Sequence, residues 1–343
     1  MKKLGILALF VFAAQVVVAQ YDNAGKYLDA IGEEYKTIQK EMWDYTSAAA
    51  HGKNARTVEK KRMSLLETTR NARNKVRSMQ GFEGNTAYRD SVVSFLEIYY
   101  LVLNEDYAKI VNMEEIAEQS YDAMEAYMLA KEEASKKLAE ASEMLIEEQK
   151  KFADNFNVEL MDSDDDELNK KMQIAEEVYG YYNDIYLIFF KSYVTDLYLS
   201  EAVNKGDVSA IEQQRSALSE ASKEGLAKLG NIQPFNGDNS LIVNCRIMLE
   251  FYQDEADNQI QHITNYFIKT ENFETIKASF DQKSEGDRTQ QDIDQFNKAV
   301  NEVNEAGAKY NSTNQTIYEN RKRYVNQWNE AVEKFTDKHV PRG

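Results

Sequence analysis

Residue types that bind metals are few in this sequence. The 343 residues include three histidines, His51, His262 and His339, and one cysteine, Cys245. Dinuclear iron sites in helical bundles use a glutamate and a histidine three residues apart, and none of these histidines has a glutamate at that spacing. Zinc sites require paired histidine or cysteine ligands, and the sequence has no such pair. We therefore predict that the protein binds no metal and no cofactor.

Residues for covalent catalysis are equally hard to assemble. The sequence has no G-x-S-x-G nucleophile motif, no phosphate-binding Walker loop and no G-x-G-x-x-G dinucleotide motif. Cys245 falls in an apolar stripe of a predicted helix, where a cysteine packs as a small hydrophobic side chain. Because no nucleophile, base and orienting group can be combined, we predict that the protein has no catalytic residues and is not an enzyme.

Two groups of acidic residues could attract cations. An EF-hand loop beginning at Asp162 would have Glu167 in place of its glycine and Gln173 in place of its bidentate glutamate, so the acidic segment 162–166 is not a calcium loop. The second group consists of Glu105, Asp106, Glu114, Glu115 and Glu118. In a chain with 58 acidic residues such groups are typical of solvated helix faces, so we assign a ligand to neither.

Six residues remain as binding candidates, and they are Tyr179, Tyr182, Tyr186, Tyr193, Trp43 and His51. The four tyrosines lie on a helix predicted over residues 174–199, where they could line a groove for a glycan or a small ligand. Aromatic side chains at helical spacing more commonly pack in a core. The histidine lies beside Gly52 at a predicted helix end, where histidine commonly caps carbonyl groups.

The elements that carry these residues are predicted to be helices. The chain has only two prolines and 14 glycines, and the stretches between them are rich in good helix formers. An apolar stripe with alternating steps of three and four residues runs through Leu28, Ile31, Tyr35, Ile38 and Met42. We therefore predict an all-α fold with long helices, in which a fourth helix starts near Met113, after the N-cap pattern of Asn112 and Glu115.

The first residues predict export. Two lysines precede an apolar run from Leu4 to Val18, and Ala19 precedes Gln20 in the manner of a signal-peptidase site. We expect residues 1–19 to be removed, and the mature chain to carry no transmembrane span and, without a cysteine at the cleavage site, no lipid anchor. The formal net charge of −17 disfavours nucleic acid as a partner. The expected location is the periplasm, the cell surface or the extracellular space.

The sequence also predicts an internal duplication. Residues 58–67 match residues 211–220 at an offset of 153, and Phe82 and Gly84 match Phe235 and Gly237 at the same offset. Near the end of each copy, QKKFADNFN resembles RKRYVNQWN at an offset of 172, so the second copy is 19 residues longer. We predict two tandem antiparallel bundles, at residues 20–160 and 161–343. We expect the insertion, near residues 270–291, to be a solvated loop that carries binding residues.

The segments WDYTSAAAHGKNARTVEKKR (residues 43–62) and LNEDYAKIVNMEEIAEQSYDAMEAYMLA (103–130) resemble an uncharacterised family of exported surface proteins from spirochaetes and Bacteroidetes. The resemblance implies a helical envelope or extracellular protein, and it brings no activity and no site residues. Our leading hypothesis is a non-enzymatic exported binding or scaffold protein, whose partner is an envelope or extracellular protein or a glycan. The alternative is a small-ligand or glycan-binding protein that uses helix 174–199 and a crevice between the bundles.

Overall fold

The computed structural model describes residues 13–15, 22–50, 55–161 and 167–341, and nearly all of them are helical. The predicted all-α class is confirmed. The strands of the described part are two three-residue segments, β1 (Ala13–Gln15) and β2 (Glu159–Met161), which pair antiparallel. This pairing was not predicted, and β1 falls within the expected signal peptide. Among the described residues, no helix is both long enough and apolar enough to cross a membrane.

The chain divides into two compact units. The first unit comprises Met1–Asn183 and Lys334–Gly343, and the second comprises Asp184–Glu333. The chain passes between the compact units twice, each time within a helix, whereas the predicted sequence copies meet at residues 160 and 161. Compact units and sequence copies are therefore two different divisions of the same chain.

In the first unit the complete helices are α1 (Asp22–Ala50), α2 (Ala55–Ser78), α3 (Ala87–Leu101), α4 (Tyr107–Ala117) and α5 (Tyr121–Asn155). The predicted stripe of α1 is buried as expected, with Ile31 and Ile38 fully inaccessible to solvent. At one end of the unit Phe82, Phe152 and Phe156 form an aromatic cluster with ring centroids 4.7–5.9 Å apart. Such a core of aromatic and aliphatic side chains supplies most of the stability of a helical bundle.

The predicted start of the fourth helix is wrong. Met113 lies inside α4, and the next helix begins only at Tyr121. Ser120 is the residue that caps it, because its hydroxyl accepts a hydrogen bond of 3.1 Å from the backbone N–H of Ala123. An N-cap pattern is a weak signal when the backbone before it is already helical, and here α4 continues through Asn112.

The second unit contains the C-terminal part of α6 (Glu167–Lys205), then α7 (Val208–Leu229), α8 (Ser240–Asp254), α9 (Ile260–Asp281) and most of α10 (Gln290–His339). Helix α7 packs closely against its neighbours at Gly225. A β-carbon there would lie 3.1 Å from Leu249 and 3.2 Å from Ile188. The absence of a side chain at this position therefore allows the helices of the second unit to approach each other.

Several local features recur 153 residues apart. A π-helical turn follows α3 at Val102–Asp106, and another follows α8 at Glu255–Gln259. The guanidinium of Arg62 binds Glu59 and the carbonyl of Leu103, and Arg215 binds Glu212 and the carbonyl of Ala256 in the same way. Backbone geometry, and not only residue identity, thus repeats at the offset found in the sequence.

The turns before α3 and α8 have matching left-handed conformations. Gly84 and Gly237 both have φ of 82°, and the residues before them both have φ of 49°. A β-carbon at either glycine would meet no other atom within 4 Å, so only backbone strain opposes a side chain there.

We expect Gly84→Val and Gly237→Val each to lower the free energy of unfolding by about 1 kcal/mol or more, because a β-branched residue is strained at positive φ. Urea unfolding measures the change. Gly180→Ala is the matched control: this glycine lies inside α6 with open space around it, so alanine should stabilise the helix by roughly 0.5–1 kcal/mol. Unchanged stability in both valine variants would show that the turns relax at no cost.

The segment predicted as an insertion, residues 270–291, is mostly exposed to solvent, as expected, but it is not a loop. Most of it is helical, since α9 continues to Asp281 and α10 begins at Gln290, so the segment forms the end of a helical hairpin. At its tip Phe280 stacks on Phe296 with ring centroids 4.6 Å apart, and Lys283 binds Asp292 at 2.6 Å. Polar composition suggested a loop, but helix formers with an occasional aromatic residue equally suit a two-helix extension.

Candidate functional site

Three buried or half-buried charged residues meet in the second unit. Arg321 of α10 donates from Nη2 to Asp196 Oδ1 of α6 at 2.6 Å and to Glu255 Oε1 at 2.7 Å. Both carboxylates are almost completely inaccessible to solvent, at 0% and 1% exposure, while the arginine side chain is 24% exposed. We call these three residues the Arg321 network. Buried charges of this kind are rare because removing them from water costs several kcal/mol per ion.

The π-helical turn determines the position of Glu255. Glu255 is its first residue, and its carbonyl accepts from the N–H of Ile260, five residues later. The widened turn directs both Glu255 and Ala256 into the core, at 1% exposure each. Single π-helical turns inside α-helices are frequent at functional sites, where they reorient a side chain.

Burial dominates the electrostatics of the network. Burial, together with repulsion from Asp196, raises the pKa of Glu255 to about 8 against the opposing effect of Arg321. Burial also raises the pKa of Asp196, although Arg321 and a hydrogen bond with Glu255 lower it. The raised pKa values favour a proton shared between the two carboxyl groups. Such a proton gives partners to Asp196 Oδ2 and Glu255 Oε2, two buried oxygens to which no group of the described protein donates.

A cavity of about 440 Å³ adjoins the network, and Glu255 and Arg321 form part of its wall. This volume lies within the range of small-molecule binding sites. The aliphatic residues of the wall are Leu199, Val203, Ile260, Ile263 and Ile317. The uncharged polar side chains of the wall belong to Ser200, Asn204, Asn311, Asn314, Gln315 and Tyr318. The wall thus contains eight polar or charged residues and five aliphatic ones.

The first unit has no charges at the matching positions. Residues 153 before Asp196 and Glu255 are Trp43 and Val102, and the residue 172 before Arg321 is Gln149. All three are buried, at 5%, 2% and 7% exposure. The charges of the network are therefore not repeated at the offsets found in the sequence.

The tyrosines predicted as binding candidates are divided between the two units. Tyr179 and Tyr182 belong to the first, and Tyr186 and Tyr193 to the second. The latter two pack against neighbouring rings: Tyr186 lies 5.6 Å from Phe190. These contacts are typical of a packed core, in keeping with the interpretation left open above.

The other predicted positions fall as follows. Trp43 lies in the core of the first unit, and His51 lies outside the described residues. Cys245 is buried, as predicted, and burial raises the pKa of its thiol to about 12. In the part of the chain that the structure describes, no three His, Cys, Asp or Glu side chains are grouped to hold a metal ion.

Sequence reasoning missed all three members of the network. Asp196 lies within the predicted helix 174–199, and Arg321 lies within the segment RKRYVNQWN, but neither was considered as a site residue. The sequence did contain a signal for these residues. A charged residue in a buried stripe of one predicted copy indicates a site residue when the matching position of the other copy is uncharged.

Comparisons with protein-family models, with curated proteins and with solved structures find no match to this chain. The site must therefore be interpreted from its own geometry.

Proposed function

We propose that this chain is an exported, non-enzymatic binding protein whose small ligand occupies the cavity beside the Arg321 network. One observation carries the proposal: a costly buried charge network adjoins a ligand-sized cavity in the second unit, and two of its members, Glu255 and Arg321, are part of the cavity wall. The first unit has Trp43, Val102 and Gln149 at the matching positions. Replacing a buried ion cluster by apolar residues is often neutral or stabilising, so retention of the cluster is explained better by binding than by stability.

Export is part of the proposal. It is supported by the charged and apolar pattern of residues 1–19 and by the resemblance to exported surface proteins. We place the protein in the periplasm, at the cell surface or in the extracellular space, where a soluble ligand could be captured.

Duplication is also part of the proposal. We infer that the two copies descend from one helical bundle, since the sequence matches, the π-helical turns, the left-handed glycines and the two arginine contacts all recur at one offset of 153 residues. On this view the second copy acquired the binding site, and the first serves as its structural counterpart. Helix 174–199 contributes to the site through Asp196 and Leu199 rather than through its tyrosines.

The proposal is tested by a thermal-shift screen of the full chain against soluble amines, sugars, amino acids and short carboxylic acids. A ligand that binds only the folded state stabilises it and therefore raises the melting temperature. At a ligand concentration of 100 times its Kd, the added free energy of unfolding is about 2.7 kcal/mol. We expect at least one class to stabilise the protein. Ser200→Phe, which places an aromatic ring in the cavity wall, should abolish that shift.

The matched control removes the hairpin extension. Deleting residues 271–289 joins Thr270 to Gln290 and leaves Asp292 where Ser120 caps α5 in the first unit. Aspartate is as good a cap as serine, so the shortened hairpin should fold. Ligand shifts should persist in this variant. A melting-temperature shift that survives Ser200→Phe but disappears when residues 271–289 are deleted would show that the ligand binds at the hairpin. The absence of any shift in the screen would contradict the proposal.

A further inference from the structure

We propose that the ligand of this cavity is an uncharged sugar ring, which forms hydrogen bonds with amide side chains of α6 and α10 and packs against the ring of Tyr318. This inference rests on the proposed function, since it names the chemical class that the cavity accepts.

The side of the cavity formed by α10 consists mainly of amide side chains. Four residues of the wall follow one another along this helix in steps of three, one and three residues: Asn311, Asn314, Gln315 and Tyr318. Residues three and four apart are neighbours on a helix surface, so these four share one face of α10. Asn204 on α6 also belongs to the wall. Amide groups therefore line the cavity from two different helices.

The amide face of α10 is particular to the second copy. At the offset of 172 residues, its three amide positions correspond in α5 to Ala139, Ser142 and Glu143. The position of Tyr318 corresponds to Ile146. Neither an amide nor an aromatic ring is conserved between the copies at these positions, so the amide face distinguishes the second copy in the same way as the Arg321 network does.

These amides are open to solvent and available to a ligand. Asn204, Asn311 and Asn314 are exposed, and their side chains form no hydrogen bond with any residue that the structure describes. A primary amide both donates and accepts hydrogen bonds, and so does a sugar hydroxyl. A ring with several hydroxyl groups can therefore pair with amides of both helices, in exchange for the water that they bind.

Arg321 adds a further reachable donor. Its Nη2 donates to both carboxylates, whereas Nη1 has no acceptor among the described residues and is not one of the unpaired atoms closed to solvent. Since Arg321 is part of the wall, Nη1 can donate to a ligand oxygen. The unpaired oxygens Asp196 Oδ2 and Glu255 Oε2 are closed to solvent and take no part. The network thus orients the guanidinium, and the ligand contacts only its free end.

Charge balance favours an uncharged ligand. With one proton shared between them, the carboxyl groups of Asp196 and Glu255 carry a single negative charge, which Arg321 balances. The other residues of the cavity wall are uncharged. A carboxylate or an ammonium group would lose its hydration without an unpaired opposite charge to replace it, whereas hydroxyl groups need only hydrogen bonds.

The apolar groups of the cavity suit the body of a sugar ring. Tyr318 is 63% exposed, and its ring is part of the wall beside the amides. An aromatic ring can cover the C–H face of a pyranose, so that both bury apolar surface. A cavity of about 440 Å³ has room for such a ring.

Calorimetric titration of the full chain at pH 7 with D-glucose, D-galactose and D-mannose tests the inference. We expect at least one of these hexoses to bind. Its uronate and its 2-amino-2-deoxy analogue keep the ring but add a charge, so each should bind at least tenfold more weakly. The disaccharides maltose, lactose and mannobiose distinguish the source: tighter binding than the hexose indicates the terminal unit of a glycan, and weaker binding indicates a free sugar.

Variants of the amides locate the bound sugar. Asn204→Ala and Asn314→Ala each remove one amide, from α6 and from α10, and each should weaken binding at least tenfold, as should Tyr318→Ala. Asn304→Ala is the matched control, because this exposed asparagine lies on α10 outside the cavity wall. Since all four side chains are exposed and alanine is a good helix former, the variants should fold, which circular dichroism checks.

The outcomes separate the two proposals. Tighter binding of a charged analogue, or sugar binding that is unchanged in all three cavity variants, would overturn the assignment of an uncharged sugar to this cavity. A thermal-shift screen that finds a ligand of another class, with no sugar bound, would overturn the sugar assignment and leave a ligand cavity. If no sugar binds and the screen is also negative, the proposed function itself fails.

Discussion

Arg321→Gln should destabilise the protein by about 3–5 kcal/mol at pH 8, because it leaves two buried carboxyl groups without their cation. Glutamine is the residue that the first unit has at the matching position, Gln149, so the change imports a side chain already compatible with such a bundle. Without the guanidinium the pKa values of Asp196 and Glu255 should rise further above those of the unfolded chain. Below the pKa values of the unfolded chain, both carboxyl groups are protonated in the folded and the unfolded state. The loss of stability caused by Arg321→Gln should therefore shrink towards pH 4 and grow as pH rises.

Urea unfolding at a series of pH values measures this effect. Arg215→Gln is the matched control: its side chain is 30% exposed and pairs with Glu212, so the loss should stay below about 1 kcal/mol. A deficit for Arg321→Gln that is small at pH 8, or that grows in acid, would show that the network is not a buried charge cluster.

Glu255→Gln should have the opposite sign and stabilise the protein at pH 8–9 by on the order of 3 kcal/mol. Burial raises the pKa of Glu255 to about 8, well above its value in the unfolded chain. The stability that its protonated form contributes is fully present below the unfolded pKa and is lost as pH rises through about 8. Glutamine stays neutral throughout, so the variant should lack the part of the pH dependence that comes from Glu255, while near pH 4 the two proteins should be equal.

Chemical unfolding between pH 4 and pH 9 tests the second prediction, with Glu201→Gln as the control. The side chain of Glu201 is 62% exposed and pairs with Lys205 on the surface, so its removal should change stability by only a few tenths of a kcal/mol. If Glu255→Gln lowered stability at pH 9, Glu255 would have to be ionised and well compensated in the folded state.

Local periodicity predicted much of the fold. The stripe of Leu28, Ile31 and Ile38 is buried as its spacing required, because the position of a side chain around a helix follows directly from its place in the sequence. The ends of the helices were harder to predict than their buried faces. The start of α5 was set by the cap at Ser120, and the weaker pattern at Asn112 was overridden by the helix already passing through it.

The candidate site could not be predicted in the same way. Asp196 and Arg321 are 125 residues apart, and a helical stripe shows which face is buried without showing which residue it meets. The conformation of residues 270–291 was missed for a related reason, since the Phe280–Phe296 stacking that holds the hairpin extension together joins two different helices.

The π-helical turns have a consequence for the history of the site. Both units have such a turn, but only the one at Glu255–Gln259 begins with an acidic residue, whereas Val102 begins the other. On the duplication proposed above, the widened turn is older than the charges it now positions. The substitutions Trp43→Asp, Val102→Glu and Gln149→Arg would place the same three charges at the matching positions of the first unit.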